Sequence, residues 1–150
     1  MNPGAAKHVK PWLRSLSRRL LLQALYQWQL TGAEPGEIEH QFEDQLARAD
    51  REYFSEILRG VIAQQEALDA CIEPALDRRV KELDHVERAI LRLGTYELMH
   101  RPDVPFRVII NEAVNLARSF GATDGHRYVN GVLDRLAREL RASEVDPADG

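Results

Sequence analysis

The chain has one cysteine, Cys71, in 150 residues, and that excludes most of what cysteine does for a protein. No disulfide framework can form and no set of thiolates can hold zinc. A lone cysteine within helical periodicity reads as a small, partly buried helix residue and suits a reducing, cytoplasmic setting. Long apolar runs are missing too. None approaches the roughly 20 residues that span a bilayer, and the opening MNPGAAKHVKPWL lacks the apolar centre of a secretory signal. Catalytic motifs are equally scarce. His8, His40, His85, His100 and His126 are scattered, with no HExxH pair, no glycine-rich loop ending in Lys-Ser or Lys-Thr, and no G-x-S-x-G elbow. GATDG at 121–125 has no lysine after it and reads as a turn between helices. Asp124 and His126 stand close together, but no nucleophile accompanies them. The expectation is a non-catalytic protein with no cofactor and no metal.

Acid is absent from residues 1–30, which carry Lys7, Lys10, Arg14, Arg18 and Arg19, a local charge of +5. Residues 31–84 sum to −8 and residues 85–150 to −1, so the net charge of −4 hides a basic end beside an acidic middle. Such asymmetry suits a polyanion at one end and solubility or a basic partner at the other, although solvated helix faces would give the same sums. Hydrophobic content of 44% with 29% charged residues is enough for one domain with a buried core.

What is present is helical periodicity. Residues 1–11, with Pro3, Gly4 and Pro11, read as a loose arm. From Trp12, a helix runs uninterrupted to Gly32, and Leu13, Leu16, Leu20, Ala24 and Trp28 form its expected core stripe. Leu22 and Tyr26 lie round the helix beside Arg14, Arg18 and Arg19, which reads as a contact surface or as packing on a neighbour. TGAEPGE (31–37) is a turn. A short helix is expected at 37–47, and Asp50 can cap a long helix carrying Tyr53, Phe54, Ile57, Leu58, Val61, Ile62, Leu68 and Ile72 to Pro74. Gly60 inside it predicts a close helix crossing. Asp84 and Glu87 form a capping-box-like pair that starts the next helix, and Pro102 and Pro105 separate that helix from its successor. Nothing reads as a strand. The expected fold is all-α, with six or seven helices in two packed three-helix halves, at about 12–81 and 82–141, and a loose tail at 142–150.

The stretch 108–140 (VIINEAVNLARSFGATDGHRYVNGVLDRLAREL) reads as helix, turn, helix. Ile109, Ala113, Leu116, Ala117 and Phe120 share one face of the first, and Val129, Val132, Leu133, Leu136 and Leu140 one face of the second. Gly121 suits a left-handed C′ position, and Thr123 or Asp124 can cap the second helix. Asp124, Arg127 and Tyr128 cluster after the turn without a scaffold role. Tyr128 and Arg127 offer planes for splayed RNA bases, and Asp124 can accept from base amino groups or only cap the helix.

The order INEAV-LA--FG followed by D-H-YVNGVLD resembles the C-terminal signature of the NusB family of bacterial transcription antitermination factors. QALYQWQL (23–30), VERAILRLGTYEL (86–98), DVPFRVIINEAVNLARSFGA (103–122) and HRYVNGVLD (126–134) extend the similarity to about residues 12–140. The resemblance implies an all-helical protein that binds boxA-type single-stranded RNA of ribosomal RNA leader transcripts together with the ribosomal protein NusE, within the transcription elongation complex. By position it implies RNA contacts at Arg14, Arg18, Arg19, Asp124, Arg127 and Tyr128, and a NusE-facing surface at Leu22, Tyr26, Glu82 and Glu87. An apolar partner face left uncovered would allow a homodimer. Here Ser15, Leu16 and Ser17 interrupt the arginine run usual in the family's first helix, so weaker unaided binding and a shallower salt dependence are expected. Two alternatives share the pattern: a helical protein–protein adaptor, and the detached RNA-binding module of an RsmB-type ribosomal RNA methyltransferase.

Overall fold

The computed structural model describes residues 10–147, so the expected arm at 1–11 falls almost wholly outside the described residues. These residues contain no strand and nine α-helices: α1 (Pro11–Thr31), α2 (Pro35–Gln41), α3 (Glu43–Leu46), α4 (Arg51–Ala63), α5 (Gln65–Ile72), α6 (His85–His100), α7 (Phe106–Phe120), α8 (Gly125–Leu140) and α9 (Ala142–Val145). The six or seven expected become nine because two helices break and one is added. The helix expected at 37–47 breaks at Phe42, whose buried ring turns in to meet Phe54 at 5.8 Å between centroids. The long helix expected from Asp50 breaks at Gln64, and α9 lies in what reads as a loose tail.

Local chemistry sets the helix ends. Pro11 opens α1 where a missing N–H costs nothing, and Gly32, left-handed at φ 68°, closes it by donating to the Trp28 carbonyl. The carboxylates of Asp50 and Asp84 accept from the N–H groups of Tyr53 (3.1 Å) and Glu87 (2.8 Å), as capping residues should.

Helix α6 is the axle. Its residues from Ala89 to Leu98 are all buried, and it packs against α1, α4 and α5 on one side and α7 and α8 on the other. Two glycines permit the approach. A Cβ on Gly60 of α4 would lie 2.4 Å from the Tyr96 ring, and one on Gly94 would lie 2.9 Å from Leu133 of α8. The close crossing expected at Gly60 is therefore present. Gly60→Ala gains about 1 kcal/mol of helix propensity and loses about 1–3 kcal/mol to overpacking. A net loss of roughly 1 kcal/mol is expected in urea denaturation, and Tyr96→Leu in the same chain should reduce it.

The core side of α1 differs from expectation. Its buried residues are Ser17, Arg18, Leu21, Leu22, Ala24 and Leu25, while Leu16 is 38% exposed. The helix is rotated so that an arginine points inward. Arg18 meets the Glu97 carboxylate in a bidentate pair (Nη2–Oε2 2.7 Å, Nε–Oε1 3.1 Å), with Glu112 at 3.4 Å and the Tyr53 hydroxyl at 3.2 Å. Tyr53 in turn donates to Glu97. Burial opposes the charge on Arg18, but Glu97 outweighs it and holds the guanidinium ionised. Burial, then the adjacent Glu97 charge, raises the Tyr53 hydroxyl, so it stays a donor. The serines beside Arg18 belong to the same fabric: Ser17 exchanges hydrogen bonds with the Asp50 backbone, and Ser15 donates to Glu112.

Arg101 and Arg14 extend this network to the surface at Asp103, where Arg101 binds through Nε and Nη2 (3.0 and 2.9 Å) and Arg14 approaches to 3.2 Å. Arg101, followed by Arg14, lowers the Asp103 carboxyl to about 2. A depressed carboxylate stabilises above its unfolded value near 4 and loses that contribution as pH falls through 2. Wild type and Asp103→Asn should therefore converge in urea stability between about pH 4 and pH 2. Asp103 is half-exposed, which keeps the difference at pH 7 below about 1 kcal/mol.

Candidate nucleic-acid interface

Helix α7 ends at a turn that only glycine can open. Gly121 is extended (φ −90°, ψ 179°), not left-handed as expected, and its N–H donates to the Ala117 carbonyl at 2.8 Å. A Cβ there would lie 2.7 Å from that oxygen, so the glycine serves close backbone approach. The left-handed residue is instead Asp124, at φ 66°, a conformation aspartate tolerates better than most residues. A capping residue needs extended backbone, and with this φ neither Asp124 nor Thr123 caps α8 through its side chain. The Asp124 carboxylate is left in solvent, loosely paired with Arg127 at 3.9 Å.

Around this turn lie two rings faced by cations, one exposed and one partly buried against the core. Phe120, 41% exposed at the end of α7, sits under the Arg19 guanidinium of α1 at 5.6 Å. Tyr128, one turn into α8, sits under Arg78 at 5.0 Å and donates through its hydroxyl to Asp77 at 2.8 Å. Arg78 and then Tyr128 lower the Asp77 carboxyl to about 2, so the clamp on the tyrosine stays charged. At the N-terminal end of α1, where Pro11 and Arg14 line a pocket with Asp103 and Pro105, Lys10 lies 5.6 Å from the ring of Trp12, which is 57% exposed. Cation–aromatic pairs in water are weak and exchangeable, and a base can enter such a pair as a stacking partner.

The expected site residues divide. Arg19, Asp124, Arg127 and Tyr128 gather at the surface around the turn. Arg14 is held by Asp103 and Asp50 and stacked on the Tyr53 ring at 4.6 Å, with a fifth of its side chain exposed. Arg18 is corrected: with its side chain 3% exposed between Glu97 and Glu112, it is unavailable to phosphate. Leu22 is corrected as well, because it is 3% exposed and belongs to the core. Of the expected partner surface, Tyr26 is 38% exposed and meets the His85 ring edge-on at 5.9 Å, Glu82 is exposed, and Glu87 is half-buried. Leu30, 53% exposed on the same side of α1, joins them. Phe120, Asp77 and Arg78 were not singled out as site residues by sequence reasoning. Phe120 reads as the last residue of a core stripe, and the Asp77–Arg78 pair gives no sign of folding back onto α8.

The model of the NusB family matches residues 15–138. The chain belongs to the NusB family. A relative of Alcanivorax borkumensis, a transcription antitermination protein NusB, is 56% identical over 144 residues, covering 93% of this chain and 96% of the relative. Among solved structures, NusB of T. maritima superposes with a TM-score of 0.74 at 31% identity, covering 87% of this chain and 92% of its own. A crystal structure of the antitermination factors NusB and NusE in complex with double-stranded RNA superposes at 0.78 with 26% identity, covering 87% and 99%. As in those NusB folds, the chain is all-α. No described helix is long and apolar enough to cross a membrane, and the described residues hold no His/Cys/Asp/Glu group able to bind a metal.

Proposed function

We propose that this chain is an RNA-binding transcription antitermination factor, not an enzyme. It recognises boxA-type RNA in ribosomal leader transcripts together with NusE and acts in the cytoplasm on the elongating polymerase complex. The observation that carries this reading is the set of rings and guanidinium groups around the 121–124 turn on a NusB framework. Tyr128 and Phe120 stack bases. Arg19, Arg78 and Arg127 meet phosphates, with Arg14 behind them, and Asp124 accepts from base amino groups. Tyr26 and Leu30, flanked by Glu82 and Glu87, suit a basic protein partner, and in its absence that uncovered face pairs with a second copy.

Fluorescence anisotropy with a labelled boxA-like strand and a scrambled strand, at several salt concentrations and with or without NusE, tests the reading. The expected result is preference for the boxA-like strand, tightened by NusE. The salt slope should be near −2, as about three phosphate contacts give on a single strand. Equal, weak binding to both strands whatever is added would overturn it in favour of a protein adaptor.

A further inference from the structure

Away from the rings, on the outer side of the α7–α8 pair, runs an open groove of about 620 Å³ lined by Asn111, Val114, Asn115, Arg118, His126, Arg127 and Asn130. Its chemistry departs from an ordinary solvated helix face. No carboxylate lines it, although the chain carries a net charge of −4. Three of its seven residues are asparagines, which are poorer helix formers than the Glu, Lys or Gln that usually fill exposed helix positions. The side-chain hydrogen bonds of α8 run elsewhere, from Tyr128 to Asp77 and from Arg138 to Asp134, and leave the groove amides without a partner among the described residues.

We propose that this groove is a second RNA-binding segment, taking a single strand as it runs on past the turn. The inference rests on the RNA-binding reading above and extends it, from the shared Arg127, to groove residues that reading does not use. Each asparagine presents both a donor and an acceptor, the pair that base edges require. Arg118 and Arg127 supply charge for phosphates at the end nearest the turn, and Arg127, paired loosely with Asp124, joins the groove to the ring-bearing surface. Asn111, Asn115 and Arg118 are spaced i, i+4 and i+7 along α7. They span about 10 Å of helix, the length of about three stacked nucleotides at ~3.4 Å each.

The test compares a boxA-like strand with the same strand extended by four uridines at either end, on wild type, Asn115→Ala and Arg118→Ala. Both substituted residues are exposed, and thermal melting confirms that the variants fold. One of the extensions should tighten binding by about tenfold, the worth of one or two net hydrogen bonds. Each substitution should abolish that gain while leaving the short strand's affinity unchanged. A gain that is absent, that survives both substitutions, or that appears only when NusE is added would overturn the groove assignment with the core reading intact. Failure of the short strand to bind would remove both.

Discussion

Glu97→Ala should destabilise the fold by about 3–5 kcal/mol, because it strands Arg18 as a buried charge without its partner. Arg18 is 3% exposed and Glu97 2%, so water cannot replace the lost contact. The Tyr53 hydroxyl loses its acceptor in the same step. Urea denaturation measures the loss. Arg18→Ala should cost a similar amount, since it leaves Glu97 and Glu112 unbalanced. The pair Arg18→Met and Glu97→Leu should be far less damaging than either alanine variant, because apolar replacements remove both desolvation penalties together. If Arg18 were instead a phosphate contact, Arg18→Ala would weaken RNA binding with stability untouched. The geometry requires the opposite order of effects.

Arg141→Ala should cost about 3 kcal/mol, from charged hydrogen bonds worth ~1.5–3 kcal/mol apiece before partial replacement by water. Its guanidinium donates to the carbonyls of Glu97 (3.1 Å), Leu98 (2.8 Å), Arg101 (2.8 Å) and Val104 (3.1 Å), closing the C-terminus of α6 and the loop after it. The Glu97 and Arg101 carbonyls also accept the N–H groups of Arg101 and Val104, at 3.0 Å each, but Pro102 has no N–H to offer Leu98, and a cation suits the negative end of the α6 dipole. Arg141 also binds Glu144 at 2.6 Å, whose other oxygen accepts from the Phe106 N–H at 2.7 Å where α7 begins. The short α9 therefore joins the end of one helix to the start of the next. A fall of roughly 6–12 °C in melting temperature is expected for Arg141→Ala, and a smaller fall for Glu144→Gln.

Much of the fold was legible in the sequence because it rests on signals local in the chain. Asp50, Asp84 and Gly32 mark helix ends through their own backbone or the next turn, although Pro11, which opens α1, reads as part of the arm, and α7 and α8 show their apolar faces by spacing alone. The features that were not legible depend on partners distant in sequence. The inward face of α1 could not be found by choosing its leucines, because Arg18 becomes a core residue only when Glu97, 79 positions away, neutralises it. The same neutralisation explains the interrupted arginine run: Ser15 and Ser17 sit where inward-facing hydroxyls are needed by Glu112 and Asp50. Residues 142–145 carry no apolar stripe, so their anchoring through Arg141 and Glu144 leaves no periodic trace. Around the turn, sequence reasoning found Asp124, Arg127 and Tyr128 but placed the left-handed backbone at Gly121 instead of Asp124. It also missed Asp77 and Arg78, which reach Tyr128 from 51 and 50 residues away.

If the rings beside the 121–124 turn carry the RNA and Arg18 carries the fold, variants of Tyr128 lose far more affinity than stability. The decisive measurement is affinity for the boxA-like strand in Tyr128→Ala and Tyr128→Phe, taken beside their melting temperatures. The expected result is a loss of tenfold or more for alanine, in line with ~1–3 kcal/mol per stacked base. Phenylalanine should keep most of the affinity and melt close to wild type, and alanine, which removes a ring packed against the core, should melt lower but stay folded at the assay temperature. Wild-type affinity in Tyr128→Ala, or a loss seen only as far as the protein unfolds, would contradict that division of roles.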